Sequence, residues 1–295
     1  MVAFIGLAAE RMTLAADLAL SGEPPRRVRL LREALDTATH TLAPVMRLSR
    51  PYVSGLDNLP DDGRFLLVGN HTRAGSEVFL IAYFVHEAIG ARVRPLADRQ
   101  FGRMRGLQAD LVSAYGAVVG TPEAARELMR NGETVLVFPG GAREVGKFKG
   151  EEYGLRWENR SGFARLAVEH DYPIVTAALV GGDDVYAGLV RRDSMLGRAT
   201  EWTSRRLSGR TDVAMPPVRG IGPTLIPRPR RMYLAFGRPI DTTRREDVVD
   251  DAWVVEVKQR VEQDLMSSLV KLRRIQADDA YRHLNPLAWN AAAMP

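Results

Sequence analysis

From residue 64 onward, short uninterrupted apolar runs alternate with longer stretches whose apolar residues recur at helical spacing. Residues 64–69, Arg-Phe-Leu-Leu-Val-Gly, form a run of the first kind and predict a buried strand, and residues 76–89 predict a long apolar helix. Further strands are expected at 93–97, 117–119, 134–138, 174–180 and 231–236, with helices at 122–129, 162–169 and 248–275. The last of these is charged and amphipathic over 253–274, a pattern suited to packing against a sheet. This order predicts an α/β fold: one central sheet, mostly parallel or mixed, flanked by helices.

Two regions depart from the alternation. Residues 1–50 read as an N-terminal pair of amphipathic helices around the turn Ser21-Gly22-Glu23-Pro24-Pro25, and the second helix carries Val28, Leu31, Leu35 and Leu42 along one face. Arg26, Arg27, Arg29 and Arg32 crowd its start, which suits an element lying on anionic lipid headgroups. A hairpin docked on the main domain would look the same. The expected division is therefore 1–50 as a helical pair, a candidate membrane-surface element, and 51–295 as the α/β domain. Residues 190–229 hold Pro216, Pro217, Pro223, Pro227 and Pro229 and are expected to form an irregular excursion, part of a lid or substrate wall.

Composition narrows the chemistry. A net charge of +5 favours anionic partners such as phospholipid surfaces or nucleotides. The basic residues are dispersed without interleaved aromatics, so nucleic acid is not expected as a partner. With no cysteine, disulfides, thiolate metal sites and cysteine nucleophiles are excluded. Glu10, Arg11 and Asp17 interrupt the apolar start, against a signal peptide, and no window reaches the roughly 18 uncharged residues that span a bilayer. A cytoplasmic protein, peripheral to the inner face of the membrane, is the expectation.

Chemistry is expected at two strand ends. In Phe65-Leu-Leu-Val-Gly-Asn-His71-Thr-Arg-Ala-Gly-Ser-Glu77, a histidine follows a strand directly and a carboxylate lies six residues on. On a regular helix those side chains would face apart, so contact requires a turn through 73–75, which Gly75 permits. A carboxylate on one imidazole nitrogen fixes the tautomer while the other nitrogen removes a hydroxyl proton. Taken alone, a histidine at a strand end is more often structural.

The second segment, Thr134-Val-Leu-Val-Phe138-Pro139-Gly140-Gly141-Ala-Arg143-Glu144, again runs a strand into a loop, now glycine-rich. Its backbone N–H groups suit a developing oxyanion or a phosphate, and a plain tight turn with solvated charges is the bland alternative. Neither GxxxxGK[ST] nor GxGxxG occurs, which disfavours nucleotide hydrolysis and hydride transfer. GxSxG is also missing, which disfavours a serine esterase. Asp183 and Asp184 lack further ligands at metal spacing and read as a capped turn, so no metal is expected.

Together the two segments resemble the lysophospholipid and glycerolipid acyltransferase superfamily, in its branch of mono- and diacylglycerol acyltransferases and phytyl ester synthases. The resemblance covers most of residues 50–245. In phospholipid-synthesising members the first motif is His, four residues, Asp, and the second is Phe-Pro-Glu-Gly-Thr-Arg. Here Ser76 stands where that Asp would be and Gly140 replaces the Glu, whereas Glu77 and Phe138-Pro-Gly-Gly-Ala-Arg-Glu144 fit the neutral-lipid branch. The blocks at 115–120 and 172–184 are similar to those that line the acceptor and acyl pockets in the family.

The resemblance implies direct acyl transfer from acyl-CoA or acyl carrier protein to a lipid hydroxyl, without a further cofactor. His71 would be the base, Glu77 its orienting acid, and the N–H groups around Gly140 and Gly141 the oxyanion stabilisers. Arg143, Lys147 and Lys149 are candidates for donor phosphates or a solvated charge run. The helix over 78–85, with Phe79, Tyr83 and Phe84, is a candidate wall for the acyl chain. A lysophospholipid acceptor, a thioesterase and a lipid-binding protein without turnover are the alternatives.

Overall fold

The structure, a computed structural model, describes residues 49–73, 75–98, 116–208, 214–244 and 250–295, together with Arg26 and Leu30. The predicted helical pair at 1–50 therefore lies outside the described residues, apart from Arg26, Leu30, Ser49 and Arg50. So does Tyr115 of the predicted block at 115–120.

Seven strands form the central sheet: β1 (Tyr52–Ser54), β2 (Leu66–Gly69), β3 (Val93–Ala97), β4 (Val118–Val119), β5 (Thr134–Val137), β6 (Ile174–Val180) and a last strand, here called β9 (Tyr233–Phe236). Two short strands between them, β7 (Ala187–Gly188) and β8 (Val218–Arg219), pair only with each other. The sheet order is β1-β9-β6-β2-β5-β3-β4. Strands β6, β2, β5, β3 and β4 are mutually parallel, while β9 lies antiparallel to β6 and carries β1 parallel to itself. The expected mostly parallel, mixed sheet is the one observed.

Among the described residues from 49 onward the α-helices are α1 (Glu77–Ile89), α2 (Pro122–Arg130), α3 (Ala142–Val145), α4 (Gly162–Glu169), α5 (Met195–Ser208) and α6 (Asp250–Asp278). All four residues of β2 and all seven of β6 are buried, because both faces of the sheet are covered. On one face Phe65, Leu67, Val175 and Leu179 pack with Ile81 and Val85 of α1. On the other, Leu66, Val68, Ile174 and Val180 pack against α4 and α6. Helix α6 supplies Val257, Val261, Leu265, Leu269 and Leu272, three or four residues apart, as one buried stripe. Burying each such side chain contributes about 1.5–3 kcal/mol.

Local signals set the helix ends. Thr121 caps α2, its hydroxyl accepting the Ala124 N–H at 3.1 Å, and Pro122 fills the first helical position. Gly90 closes α1 at φ 68°. The excursion expected over 190–229 is corrected in part: it contains the 14-residue helix α5 as well as β8. Strand β1 was not expected at all.

Candidate active site

Strands β6, β2 and β5 are adjacent and parallel, so the loops leaving their carboxyl ends emerge side by side. That register brings together His71 after β2, the glycine turn after β5 and Asp183 after β6. Carboxyl ends of parallel strands are where α/β enzymes hold ligands.

Asn70 carries the ladder one step past β2. Its side-chain amide donates to Leu179 O at 3.0 Å, and its carbonyl accepts the Leu179 N–H at 2.8 Å. His71 follows immediately. Gly75, at φ 68°, turns the chain back through a bond from its N–H to Thr72 O, so that Glu77, the first residue of α1, reaches the imidazole. The Glu77 carboxylate accepts from His71 Nδ1, from the Thr72 N–H at 3.2 Å and from the Thr72 hydroxyl. Ser76 takes no part: its hydroxyl is buried and makes no hydrogen bond. The ring is 22% exposed while Glu77 is fully buried, and Nε2 is the nitrogen left for a substrate. Phe138 stacks on the imidazole, with centroids 4.6 Å apart and planes 19° apart. Any side chain at Gly69 would crowd that Phe138 ring and the Ala177 carbonyl.

After β5 the chain turns at Pro139-Gly140-Gly141. The Gly141 N–H donates to Phe138 O at 2.9 Å and is consumed by the turn. Of the two glycine amides proposed from sequence, only that of Gly140 has no partner among the described residues. Arg160 fixes the loop from outside, donating to Pro139 O at 2.9 Å and Gly140 O at 3.0 Å. Arg143 is partly exposed and pairs with Glu158.

Glu144 does not line the loop as expected but is fully buried beneath it. Its carboxyl accepts the His71 N–H at 2.8 Å and the Arg156 N–H at 2.9 Å, joining the β5 loop to the His71 backbone. Burial raises its pKa above the ordinary carboxylate value, against the lowering effect of those two N–H donors and of Lys147. Gly140 is what leaves it room, since a Cβ there would lie 2.3 Å from the Glu144 carboxyl.

Lys147 is also corrected. Instead of facing solvent as a phosphate ligand, it is fully buried, its Nζ donating to His71 O and to Asp183 Oδ2, each at 2.8 Å. Asp183 further accepts the N–H groups of Arg73 and Tyr153, both at 2.8 Å. Arg73 in turn donates to the carbonyls of Tyr186, Asp183 and Lys147. Gly182 lets this turn close on the site, because a Cβ there would lie 2.5 Å from Thr72. Asp184 accepts from Tyr153 and Gln276, and among the described residues no cluster suited to a metal ion occurs. Burial and the nearby Asp184 and Asp183 push the Tyr153 phenol far above its ordinary range, so it stays a proton donor.

Lys149 remains exposed. It lines a cavity of about 630 Å³ with Arg228, Arg230, Arg273, Arg282 and His283. Sequence reasoning missed the roles of Lys147, Asp183 and Arg73, whose partners lie far along the chain.

Fold and site together make an α/β domain with its candidate site at the carboxyl ends of the central parallel strands. Residues 50–180 match the acyltransferase family model, and this part of the chain is an acyltransferase domain. Among relatives, phytyl ester synthase 1 of Arabidopsis thaliana is 30% identical over 256 residues, covering 78% of this chain and 35% of its own length. The human DGAT1/2-independent enzyme synthesizing storage lipids is 30% identical over 125 residues, 42% of this chain and 37% of that protein. The chain thus spans about a third of the length of each of these two relatives. The 1-acyl-sn-glycerophosphate acyltransferase PlsC of Thermotoga maritima aligns over 87% of this chain and 89% of its own at 16% identity, with a TM-score of 0.39, a likeness too distant to carry an argument.

Proposed function

We propose that the protein transfers a fatty acyl group from a thioester, acyl-CoA or acyl carrier protein, to the hydroxyl of a neutral lipid alcohol. His71 Nε2 takes the hydroxyl proton, and the alkoxide oxygen bonds to the thioester carbonyl carbon. Collapse of the tetrahedral adduct breaks the carbon–sulfur bond, and the imidazolium returns the proton to the departing thiolate. Glu77 holds the tautomer and supports the charged ring; the Gly140 N–H stabilises the oxyanion. No covalent enzyme intermediate is required.

The observation that carries this reading is the His71–Glu77 pair, held on a partly exposed ring beside the Gly140 turn. The names of the two relatives, an ester synthase for phytyl groups and a maker of storage lipids, favour a neutral acceptor over a lysophospholipid. Donor phosphates fall to Lys149 and its cavity now that Lys147 is internal. Among the described residues no helix is long and apolar enough to cross a membrane, and the proposed mode of contact with lipid is peripheral.

The test supplies acyl-CoA with a panel of neutral and phosphorylated acceptors, follows thiol release and identifies the lipid product by mass. His71→Ala should abolish ester formation in a folded protein. Free fatty acid in place of ester would make the protein a thioesterase, and full transfer by His71→Ala would remove the base.

A further inference from the structure

We infer that residues 189–208 and 214–230 form the face by which the protein docks on an anionic phospholipid bilayer. Eight arginines, no lysine and two acidic residues give these two stretches a net charge of +6, against +5 for the whole chain. All of the excess positive charge therefore lies in one excursion from the sheet. Of the fifteen large apolar side chains exposed among the described residues, eight also fall here, including Met195, Leu196, Trp202, Leu225 and Ile226. Scattered exposed apolar residues need no explanation, but a concentration of them with one sign of charge marks an interaction face.

Helix α5 shows the arrangement most plainly. Within 195–206 only Gly197 is buried, so the helix stands off the body with Met195 88% and Trp202 65% exposed. These two lie seven residues apart and therefore on one face. Arg198 and Arg205 each follow one of them by three residues, and the Arg206 guanidinium lies over the Trp202 ring at 5.9 Å. Apolar anchors with a tryptophan, flanked by guanidinium groups, are what an interfacial helix presents to headgroups.

Charge decides between occupants. A second copy of the chain would oppose +6 to +6, and seven of the eight exposed apolar side chains here are aliphatic, leaving Trp202 as the one ring among them on which a base could stack. A bilayer bearing lipid phosphates satisfies both halves of the surface at once, the arginines by charge-assisted bonds and the apolar tips by insertion. The basic cavity opens at the base of the same excursion, where Gly188, Arg228 and Arg230 line it, so the arginine surface continues inward. Asp183 lines that cavity as well and holds the Lys147 that bonds His71 O. Docking by this face brings lipid to the same side of the sheet as the base. The inference deepens the proposed acyl transfer by naming where the lipid phase meets the protein, and in that respect rests on it.

The experiment floats the full chain with vesicles of phosphatidylglycerol and phosphatidylcholine in equal parts, and with phosphatidylcholine alone. Binding should require the anionic lipid, and Arg205→Gln with Arg206→Gln should weaken it about thirtyfold. Brominated lipid should quench Trp202, read as the difference between wild type and Trp202→Phe, and Met195→Glu with Leu196→Glu should abolish that quenching. Unchanged binding by a variant that combines all four of these substitutions, or binding indifferent to phosphatidylglycerol, overturns the inference. All variants should esterify a short water-soluble alcohol at the wild-type rate; a loss there would mean that these residues serve catalysis or folding and would equally overturn it. A wild-type protein inactive on that alcohol refutes the acyl-transfer reading, and the vesicle results still decide the docking face.

Discussion

The carboxyl of Glu144 fills the space that any side chain at Gly140 would need. In the Phe-Pro-Glu-Gly pattern of phospholipid-synthesising acyltransferases, position 140 itself would carry the carboxyl. In this chain the acid comes from four residues further on, and it braces the His71 N–H and the Arg156 N–H from below.

Gly140→Ala should therefore act at a distance. The added methyl displaces Glu144, the His71 backbone loses its brace, and acyl-transfer kcat/KM should fall by about 100-fold, the scale of a 1 Å misplacement. Steady-state kinetics on a protein with unchanged far-ultraviolet circular dichroism would check this. Wild-type rates would show that Glu144 does not position His71.

Glu77→Gln tests the orienting acid. The carboxylate accepts one bond from His71 Nδ1 and two from Thr72, and an amide that presents its NH₂ to either partner breaks the set. We expect kcat to fall by about 10²–10⁴-fold with KM little changed, since the loss is felt when the imidazole becomes charged.

The Lys147–Asp183 pair is fully buried, so breaking it by one partner leaves a charge without its counterion. Lys147→Met should destabilise the fold by about 3–5 kcal/mol in denaturant titration. Adding Asp183→Asn should recover part of the loss, because the second change removes the stranded charge.

Stability in acid should depend on Asp279. Burial would raise this carboxyl, but hydrogen bonds from Tyr233, Arg231 and the Tyr281 and Ala293 N–H groups together outweigh it and hold the pKa below the ordinary 3.8. The unfolded chain then binds the proton first as pH falls. The stability Asp279 contributes is present above 3.8 and is lost as pH falls through the lower folded-state value. Urea midpoints followed below pH 5 should fall in the wild type, and Asp279→Asn should be less stable at neutral pH with a flatter acid limb.

Legibility in the sequence followed the range of the contacts. Strand β6 and helix α4 coincide with the residues expected, because a fully buried run or an apolar stripe writes itself into consecutive residues. The approach of His71 to Glu77 was legible too, being a six-residue contact across a glycine turn. Helix α5 was missed because its residues 195–206 turn no large apolar side chain to the core, and proline-rich surroundings favoured an irregular reading. Strand β1 is three residues at the sheet edge, too short for a periodic signal. The bond from His71 to Glu144 spans 73 residues and that from Arg73 to Asp183 spans 110, so local patterns held no trace of either.

Asn70 gives the site a property of its own. By pairing with both polar groups of Leu179, its side chain ties the chain to a fully buried strand one residue before the His71 ring. The imidazole accordingly inherits the stillness of the sheet interior, and motion in the residues that follow is damped before it reaches the base. Warming should loosen substrate entry well before it blurs the aim of the proton acceptor.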